Sequence, residues 1–374
     1  MGVHHGHVLR ILRDEGPQSR AELARRSKLS ATTLTHVTAH LLKDGSVIEL
    51  ETGGLGSVGR PAQAIRLAPE AYAVAGVHIG ASNVQVTITD VRASTKGAMS
   101  FDFDVPGADP AIIVKRISEA VISLAEEAQI ETKRLLGIGI SVPGPVDAAR
   151  RKAIASINIG WKNVPFADLM EQALNKPAIV EHNVSAMALA ECRYGIGKNV
   201  PALLYVYLRT GLGAGLVVDG MPFRPGGHGA VELGHIQITQ NGTACACGNT
   251  GCLETFVRES ALMQAAGLTG AAPEHLLAYV ERNAEAWDVV VRHLTSALAS
   301  AVNLLTPDLI VFGGHLGEAP DSLFDRLRVD LPPRVMPHMR DILNIQRASF
   351  SSQAGAIGGA AVALDHFFYS GALH

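Results

Sequence analysis

Cys245, Cys247 and Cys252 fall within one short window of the 374-residue chain, and only Cys192 stands apart from them. In a reducing compartment such a cluster is a metal site more often than a disulfide framework. The alternative is a group of buried thiols that hold no metal. Cys192 sits in an Ala-rich, helix-like stretch and reads as a small core residue. A second kind of chemistry is suggested by glycine-rich turns. Arg209-Thr210-Gly211-Leu212-Gly213-Ala214-Gly215 follows an apolar run, Gly313-Gly314 follows Leu309-Ile310-Val311-Phe312, and Gly355, Gly358 and Gly359 open an Ala-rich terminal segment. Backbone amides in such turns can approach a phosphate, although tight turns need glycine for backbone reasons alone. A third kind is carried by Ser30, Thr32, Thr33, Thr35, His36 and His40. These short hydrogen-bonding side chains suit base edges or phosphates in a DNA major groove.

Such groups need elements to hold them. Val8, Leu9, Ile11 and Leu12 form a short apolar face that ends before Gly16-Pro17, a helix stop. Ser19 can cap a second helix containing Ala21, Leu23 and Ala24, followed by basic Arg25 and Arg26. Leu29 and the cap Ser30 lead into a third helix with the apolar stripe Leu34, Val37 and Leu41, at i, i+3 and i+7. That stripe turns Thr32, Thr33, Thr35, His36 and His40 to the opposite face. Gly45 ends the helix. Val47–Leu50 and Ala64–Leu67 read as a hairpin whose loop runs from Gly53 to Gly59-Arg60-Pro61. The order predicts a winged helix-turn-helix, with Arg60 able to reach the DNA backbone or minor groove. A small helical protein-interaction module is the competing reading; the wing and the polar third helix weigh against it.

From Val74 the pattern changes to alternating strands and helices, which argues for an α/β fold. Val74–Ile79, Val84–Val91, Leu136–Val142, Ala178–Glu181 and Leu203–Leu208 read as strands, and Pro110–Gln129 and Ser185–Tyr194 as helices. No repeat stands out. At 47% hydrophobic and 18% charged residues the composition is globular, which excludes a disordered chain. No apolar run reaches the roughly 18 residues that cross a bilayer, and Met1-Gly2-Val3-His4-His5 lacks the pattern of a signal peptide. The expectation is a cytoplasmic protein with no membrane partner. The net charge of −3 divides into +2 over residues 1–70 and −5 over the rest, a mild bias that allows a nucleic-acid-binding N-terminus without establishing one.

Glu232-Leu233-Gly234-His235, followed by Cys245-Ala246-Cys247-Gly248-Asn249-Thr250-Gly251-Cys252-Leu253-Glu254, fits the pattern E-x-G-H…C-x-C-G-x-x-G-C-x-E at every fixed position. With Ser141-Val142-Pro143-Gly144-Pro145-Val146-Asp147 and Asn158-Ile159-Gly160-Trp161, the chain resembles the ROK family of repressors, open reading frames and kinases over essentially its whole length. The resemblance implies a two-lobed, actin-like sugar-kinase fold behind the winged helix. The expected boundaries are 1–70 for the DNA-binding domain, 74–182 plus 350–374 for the first lobe, and 183–349 for the second. His235, Cys245, Cys247 and Cys252 supply four ligands suited to a tetrahedral, structural zinc. Zinc would pin Glu232 and Glu254, which flank the ligands. In the resembling kinases the residues matching Asn158, Glu232, His235 and Glu254 contact sugar hydroxyls, chemistry that carboxylates and amides perform well. Asn158 can also be a plain turn residue, and Trp161 reads as a core aromatic.

Two departures bear on activity. Family kinases carry an Asn-Asp pair whose Asp is the general base; here His182-Asn183 stands there, and Asn183 can hydrogen-bond a hydroxyl but take no proton near neutral pH. Family kinases open with Asp-x-Gly-x-Thr; here His78-Ile79-Gly80-Ala81-Ser82 puts His78 at the Asp that manages Mg²⁺ and phosphate. Arg209 replaces a usual glycine in the second phosphate loop. The expectation is a sugar-responsive repressor without catalytic residues. It binds a monosaccharide or sugar phosphate at Asn158, Asn183, Glu232, His235 and Glu254, and acts as a dimer or tetramer on a palindromic operator. The alternatives are an active kinase with an added DNA-binding domain and a repressor governed by a protein partner.

Overall fold

A computed structural model describes residues 2–51, 63–104, 108–224, 226, 230–268, 276, 278, 279, 283 and 286–370. The N-terminal part comprises α1 (Val3–Glu15), β1 (Gln18–Ser19), α2 (Arg20–Ser27), α3 (Ala31–Lys43), β2 (Val47–Glu51) and β3 (Gln63–Leu67). Ser19 Oγ accepts from the Glu22 amide at 3.2 Å and Ser30 Oγ from the Thr33 amide at 3.1 Å, so both serines cap the helices they precede. Gly16, at φ 79°, ends α1. Leu34, Val37 and Leu41 are buried against Val8, Leu9, Leu12 and Leu23; each such side chain contributes roughly 1.5–3 kcal/mol. β3 lies between β1 and β2 in a three-stranded sheet. β1 was not foreseen, because two residues are too short to show alternation. The loop between β2 and β3, with Arg60, lies outside the described residues.

The next part contains β4 (Ala73–Ile79), β5 (Asn83–Asp90), β6 (Thr95–Asp102), α4 (Pro110–Glu127), β7 (Leu135–Val142), the hairpin β8 (Ala153–Ser156) and β9 (Trp161–Val164), α5 (Phe166–Leu174), β10 (Ala178–His182) and α6 (Asn183–Tyr194). Then come β11 (Ala202–Leu208), β12 (Leu212–Val218), β13 (Met221–Pro222), α7 (Glu254–Val257), α8 (Glu259–Ala265), α9 (Ala286–Leu305), β14 (Leu309–Gly314), α10 (His315–Glu318), α11 (Asp321–Asp330), β15 (Asn344–Arg347) and α12 (Ala354–Ala363). Trp161 is buried and stacks on Phe103 at a centroid separation of 6.0 Å; Cys192 is also buried.

Two five-stranded sheets result, in the orders β10-β7-β4-β5-β6 and β15-β14-β11-β12-β13. They share one plan. In each, three consecutive strands form an antiparallel meander, a later strand adds in parallel to the first of them, and a further one adds in parallel to that. This duplication of backbone architecture leaves no visible repeat of residues. α12 packs on β4 and β7, α6 packs on β11 and β12, and the two helices pack on each other between the sheets. α12 lies close on the first sheet: a Cβ on Gly139 of β7 would fall 2.0 Å from the Gly359 carbonyl, and one on Gly76 of β4 2.2 Å from the Ala356 carbonyl. Gly359 therefore serves helix–sheet contact rather than the approach of a phosphate. α6 begins two residues earlier than its sequence pattern suggested, which makes Asn183 its first residue.

A π-helical turn, Leu364–Phe368, follows α12. Leu364, Phe368 and Tyr369 share one buried cluster with Leu9, Leu12 and Ile65 of the winged helix. The N-terminal helices and β3 are thus packed on residues 364–369. Among the described residues no helix is long and apolar enough to cross a membrane.

Candidate functional site

The ligating atoms of His235, Cys245, Cys247 and Cys252 all lie within 4.8 Å of one another, so the group can hold a metal ion. Irregular backbone brings them together. His235 ends a 3-10 turn over Leu233–His235, and isolated bridges pair Gln237 with Cys252 and Ala244 with Thr250. Gly251 has φ 65°, and a Cβ there would fall 1.9 Å from the Thr239 carbonyl, so the knuckle requires glycine. Cys247 Sγ is 3.7 Å from Cys252 Sγ, and Cys245 Sγ is 3.6 Å from His235 Nδ1. His235 turns its other nitrogen, Nε2, toward Glu232 Oε2 at 4.0 Å. Burial and the neighbouring thiols push the Cys252 thiol up to about 12, whereas a backbone hydrogen bond at Asn249 draws Cys247 down.

A cleft of about 480 Å³ adjoins this cluster, and Asn158, Asn183, Glu232, His235 and Glu254 all line it. Asn158 comes from the β8–β9 turn and Asn183 from the first turn of α6, where its Oδ1 accepts from the Val184 amide at 2.8 Å. Glu254 begins α7, and its Oε2 accepts from the Leu212 amide at 2.9 Å. That bond fixes the carboxylate against the turn between β11 and β12. His78 closes the inner side. It is 8% exposed, and its Nδ1 lies 3.0 Å from Ser141 Oγ. Burial first, and then the charge of Arg209, pull its pKa down to about 4.

The partners of several residues in and behind the cleft escaped the sequence reading. His182 is buried beside Asn183, with Nδ1 3.2 Å from Ser185 Oγ, and burial lowers its pKa. Its place next to the base position was the available signal. Behind it, Glu181 is buried and paired with Arg150 at 3.1 Å and with Arg224, which follows β13; this pair ties the first sheet to the second. Arg209 is paired with Glu318 at 3.1 Å. Nothing local in the sequence indicates those partners.

On the winged helix, Thr32, Thr35, His36 and His40 are exposed along α3 and Thr33 is half-buried. Their hydrogen-bonding capacity is unequal. Thr35 Oγ1 donates to the Ala31 carbonyl at 2.8 Å, Thr33 Oγ1 is 2.9 Å from Ser30 Oγ, and His40 lies edge-on to His5 and 3.5 Å from Asp44. Thr32 and His36 project from the outer face.

The chain is 27% identical over 98% of its length to the DNA-binding transcriptional repressor Mlc of Escherichia coli (strain K12), 94% of which is covered. It is 24% identical over 96% of its length to the xylose repressor of Bacillus subtilis (strain 168), 94% of which is covered. It is 26% identical over 95% to the N-acetylglucosamine repressor of Escherichia coli O157:H7, 90% of which is covered. Among solved structures, a ROK family transcriptional regulator homologous to the E. coli MLC protein superposes with a TM-score of 0.85 at 25% identity, covering 98% of this chain and 96% of that one. A ROK family glucokinase from Streptomyces griseus, solved with glucose and AMPPNP, covers 78% of this chain and 98% of its own at a TM-score of 0.67 and 22% identity, which shows the shared fold. The MarR family model matches residues 4–48, the helices of the winged helix-turn-helix. The ROK family model matches residues 74–366, both sheets and the cleft between them, and the chain belongs to the ROK family.

Proposed function

We propose that this protein is a sugar-responsive, DNA-binding transcription regulator, a repressor acting in the cytoplasm, whose kinase-like part binds a sugar without phosphorylating it. The observation that carries the reading is the single cleft that gathers two amides and two carboxylates with His235, on a chain that also bears a winged helix. Asn158, Asn183, Glu232, His235 and Glu254 are the sugar contacts in this reading: amides offer donors and acceptors, carboxylates accept from vicinal hydroxyls. At the two places where phosphoryl transfer needs a carboxylate stand Asn183 and His78. Neither restores what was lost: the Asn183 amide cannot take a proton near neutral pH, and the His78 imidazole, its pKa pulled down to about 4 by burial, is neutral and brings no negative charge for Mg²⁺.

The donor set of His235, Cys245, Cys247 and Cys252 fits zinc. Tetrahedral bonds of about 2.3 Å to sulfur and 2.0–2.1 Å to nitrogen separate ligands by roughly 3.5–3.8 Å, close to the 3.6 and 3.7 Å separations in the cluster. The ion would be structural, with no open position, and would hold Glu232 and Glu254 at the cleft. Ser30, Thr32, Thr33, Thr35, His36, His40 and Arg60 form the DNA-contacting set, and a dimer on a palindromic operator supplies enough base pairs for specificity.

Operator binding measured with and without a panel of sugars tests the regulator; a coupled ATP assay tests the absence of turnover. Sugar-dependent ATP turnover well above that of Glu232→Ala would refute the second half. Operator affinity indifferent to every bound sugar would move control to a protein partner.

A further inference from the structure

The hydrogen bonds around His78 favour one of its two neutral tautomers. Ser141 Oγ lies 3.0 Å from His78 Nδ1, 3.2 Å from the Val77 carbonyl and 3.1 Å from the Gly355 carbonyl. A hydroxyl has one proton and two lone pairs. With a lone pair on Nδ1, that proton would face three acceptors. With the proton on Nδ1, the imidazole donates to Ser141 Oγ and the hydroxyl donates to the carbonyls, so each contact joins a donor to an acceptor. Neutral imidazole protonated at Nδ1 presents an acceptor at Nε2. The side chain is more than nine-tenths buried and lines the cleft.

The charges of the cleft point the same way. Glu232, Glu254 and Glu259 line it against one guanidinium among the described residues, Arg209, which is already paired with Glu318. Glu259 is paired with His315 at 3.4 Å, so a phosphate dianion in the cleft faces the charges of Glu232 and Glu254 with no unpaired guanidinium among the described lining residues, and an imidazole lone pair at His78. A hydroxyl or N–H supplies the donor that Nε2 needs, and leaves no charge to compensate.

We propose that the inner end of the cleft is a subsite for an uncharged hydrogen-bond donor, a hydroxyl or N–H group of the effector that donates to His78 Nε2, and that the effector is an unphosphorylated sugar. The proposal rests on the sugar-responsive reading above and narrows it, since that reading admits sugar phosphates.

The test is calorimetry on the full chain with glucose, xylose and N-acetylglucosamine, and with the 1- and 6-phosphates of the two hexoses. A free sugar should bind, and its phosphate esters should bind at least about tenfold more weakly, or undetectably. His78→Leu should weaken the free sugar by about tenfold, while His78→Gln, whose carbonyl remains an acceptor, should weaken it less. A phosphate ester that binds as tightly as its parent sugar overturns the proposal and leaves the sugar-responsive reading standing. Silence from every sugar and every phosphate overturns the proposed function and this proposal with it. A ligand-free measurement stands beside these. Long-range ¹H–¹⁵N correlation spectra, with His78→Gln for assignment, should place the proton on Nδ1; a proton on Nε2 overturns the assignment whatever the sugars do.

Discussion

Arg13 of α1 and Asp365 of the C-terminal π-helical turn meet at 3.2 Å, across 352 residues of chain. The Arg13 side chain is 4% exposed, and its guanidinium lies 4.6 Å from the Tyr369 ring centroid. The other Asp365 oxygen takes Arg193 at 3.0 Å, near the end of α6. α6 begins at Asn183 in the cleft. One carboxylate therefore joins the DNA-binding part to a helix whose other end borders the candidate sugar site.

Breaking that junction should be costly. Asp365→Asn leaves two guanidiniums short of a counter-charge, and removing one partner of a buried pair typically costs about 3–5 kcal/mol. Arg13 keeps Asp14 at 2.7 Å, so the expected loss is at the lower end, about 3 kcal/mol, read from chemical denaturation. A loss below about 1 kcal/mol would show that the junction is solvated in solution.

The cysteine cluster should hold about one zinc per protomer. Cys247→Ser should abolish metal and weaken sugar binding together, because Glu232 and Glu254 lose their common anchor. Thiols must shed protons to ligate, and Cys252 begins with its pKa pushed up to about 12. Apparent metal affinity should therefore rise between about pH 6 and pH 8. Elemental analysis of freshly purified protein that finds no metal would refute the site.

Much of the site was legible because its residues are close in the chain. Glu232 to Glu254 spans one knuckle, and the thiols and glycines within it state their geometry locally. α3 was legible for the same reason: its caps and stripe lie within one helix. The relations that failed to show are the distant ones. Arg209 gives no sign of Glu318, Glu181 none of Arg224, and Arg13 none of Asp365. Gly359 looked like a phosphate-loop residue because a glycine has no side chain to announce its neighbour; with Gly139 it instead lets the helix touch the sheet, while Gly355 lines the cleft. The twofold sheet plan was hidden because backbone order can persist when side chains do not.

His78 also sets an acid limit on stability. Burial lowers its pKa from 6.5 to about 4. Between those values the unfolded chain binds a proton that the folded chain refuses, so this contribution is whole above about pH 6.5 and falls as the pH is lowered. The loss reaches roughly 3 kcal/mol by pH 4. His78→Gln should flatten the stability profile over that window. An unchanged slope would mean that His78 titrates normally in the folded protein.

The exposed face of α3 should divide by function. His36→Ala and Thr32→Ala should each cost about 1–3 kcal/mol of operator binding while leaving random DNA nearly unaffected. Thr35 already donates to the Ala31 carbonyl and can only accept from DNA, so Thr35→Val should cost less than either. Competition binding with specific and random duplexes measures the difference; equal losses on both duplexes would mean that α3 contacts phosphates, not bases.

A regulator of this design must couple its two ligands. A sugar held by Asn158 and Asn183 on one side and Glu232, His235 and Glu254 on the other favours whichever arrangement of the two sheets brings those sides together. α6, which packs on the second sheet and on α12, would carry that preference to Arg193, Asp365 and Arg13. A ligand shifts such an equilibrium only by its differential affinity for the two states. The usual coupling of about 1–3 kcal/mol would change operator affinity roughly 5–150-fold, and reciprocity requires the operator to change sugar affinity by the same factor. Sugar titrations with and without saturating operator should therefore differ by the ratio seen when operator is titrated with and without sugar. Asp365→Asn should shrink both ratios equally, while sugar affinity in the absence of DNA stays near that of the wild type. Ratios that survive Asp365→Asn unchanged would exclude this junction as the connection, and a sugar affinity indifferent to operator would exclude the sugar as the signal.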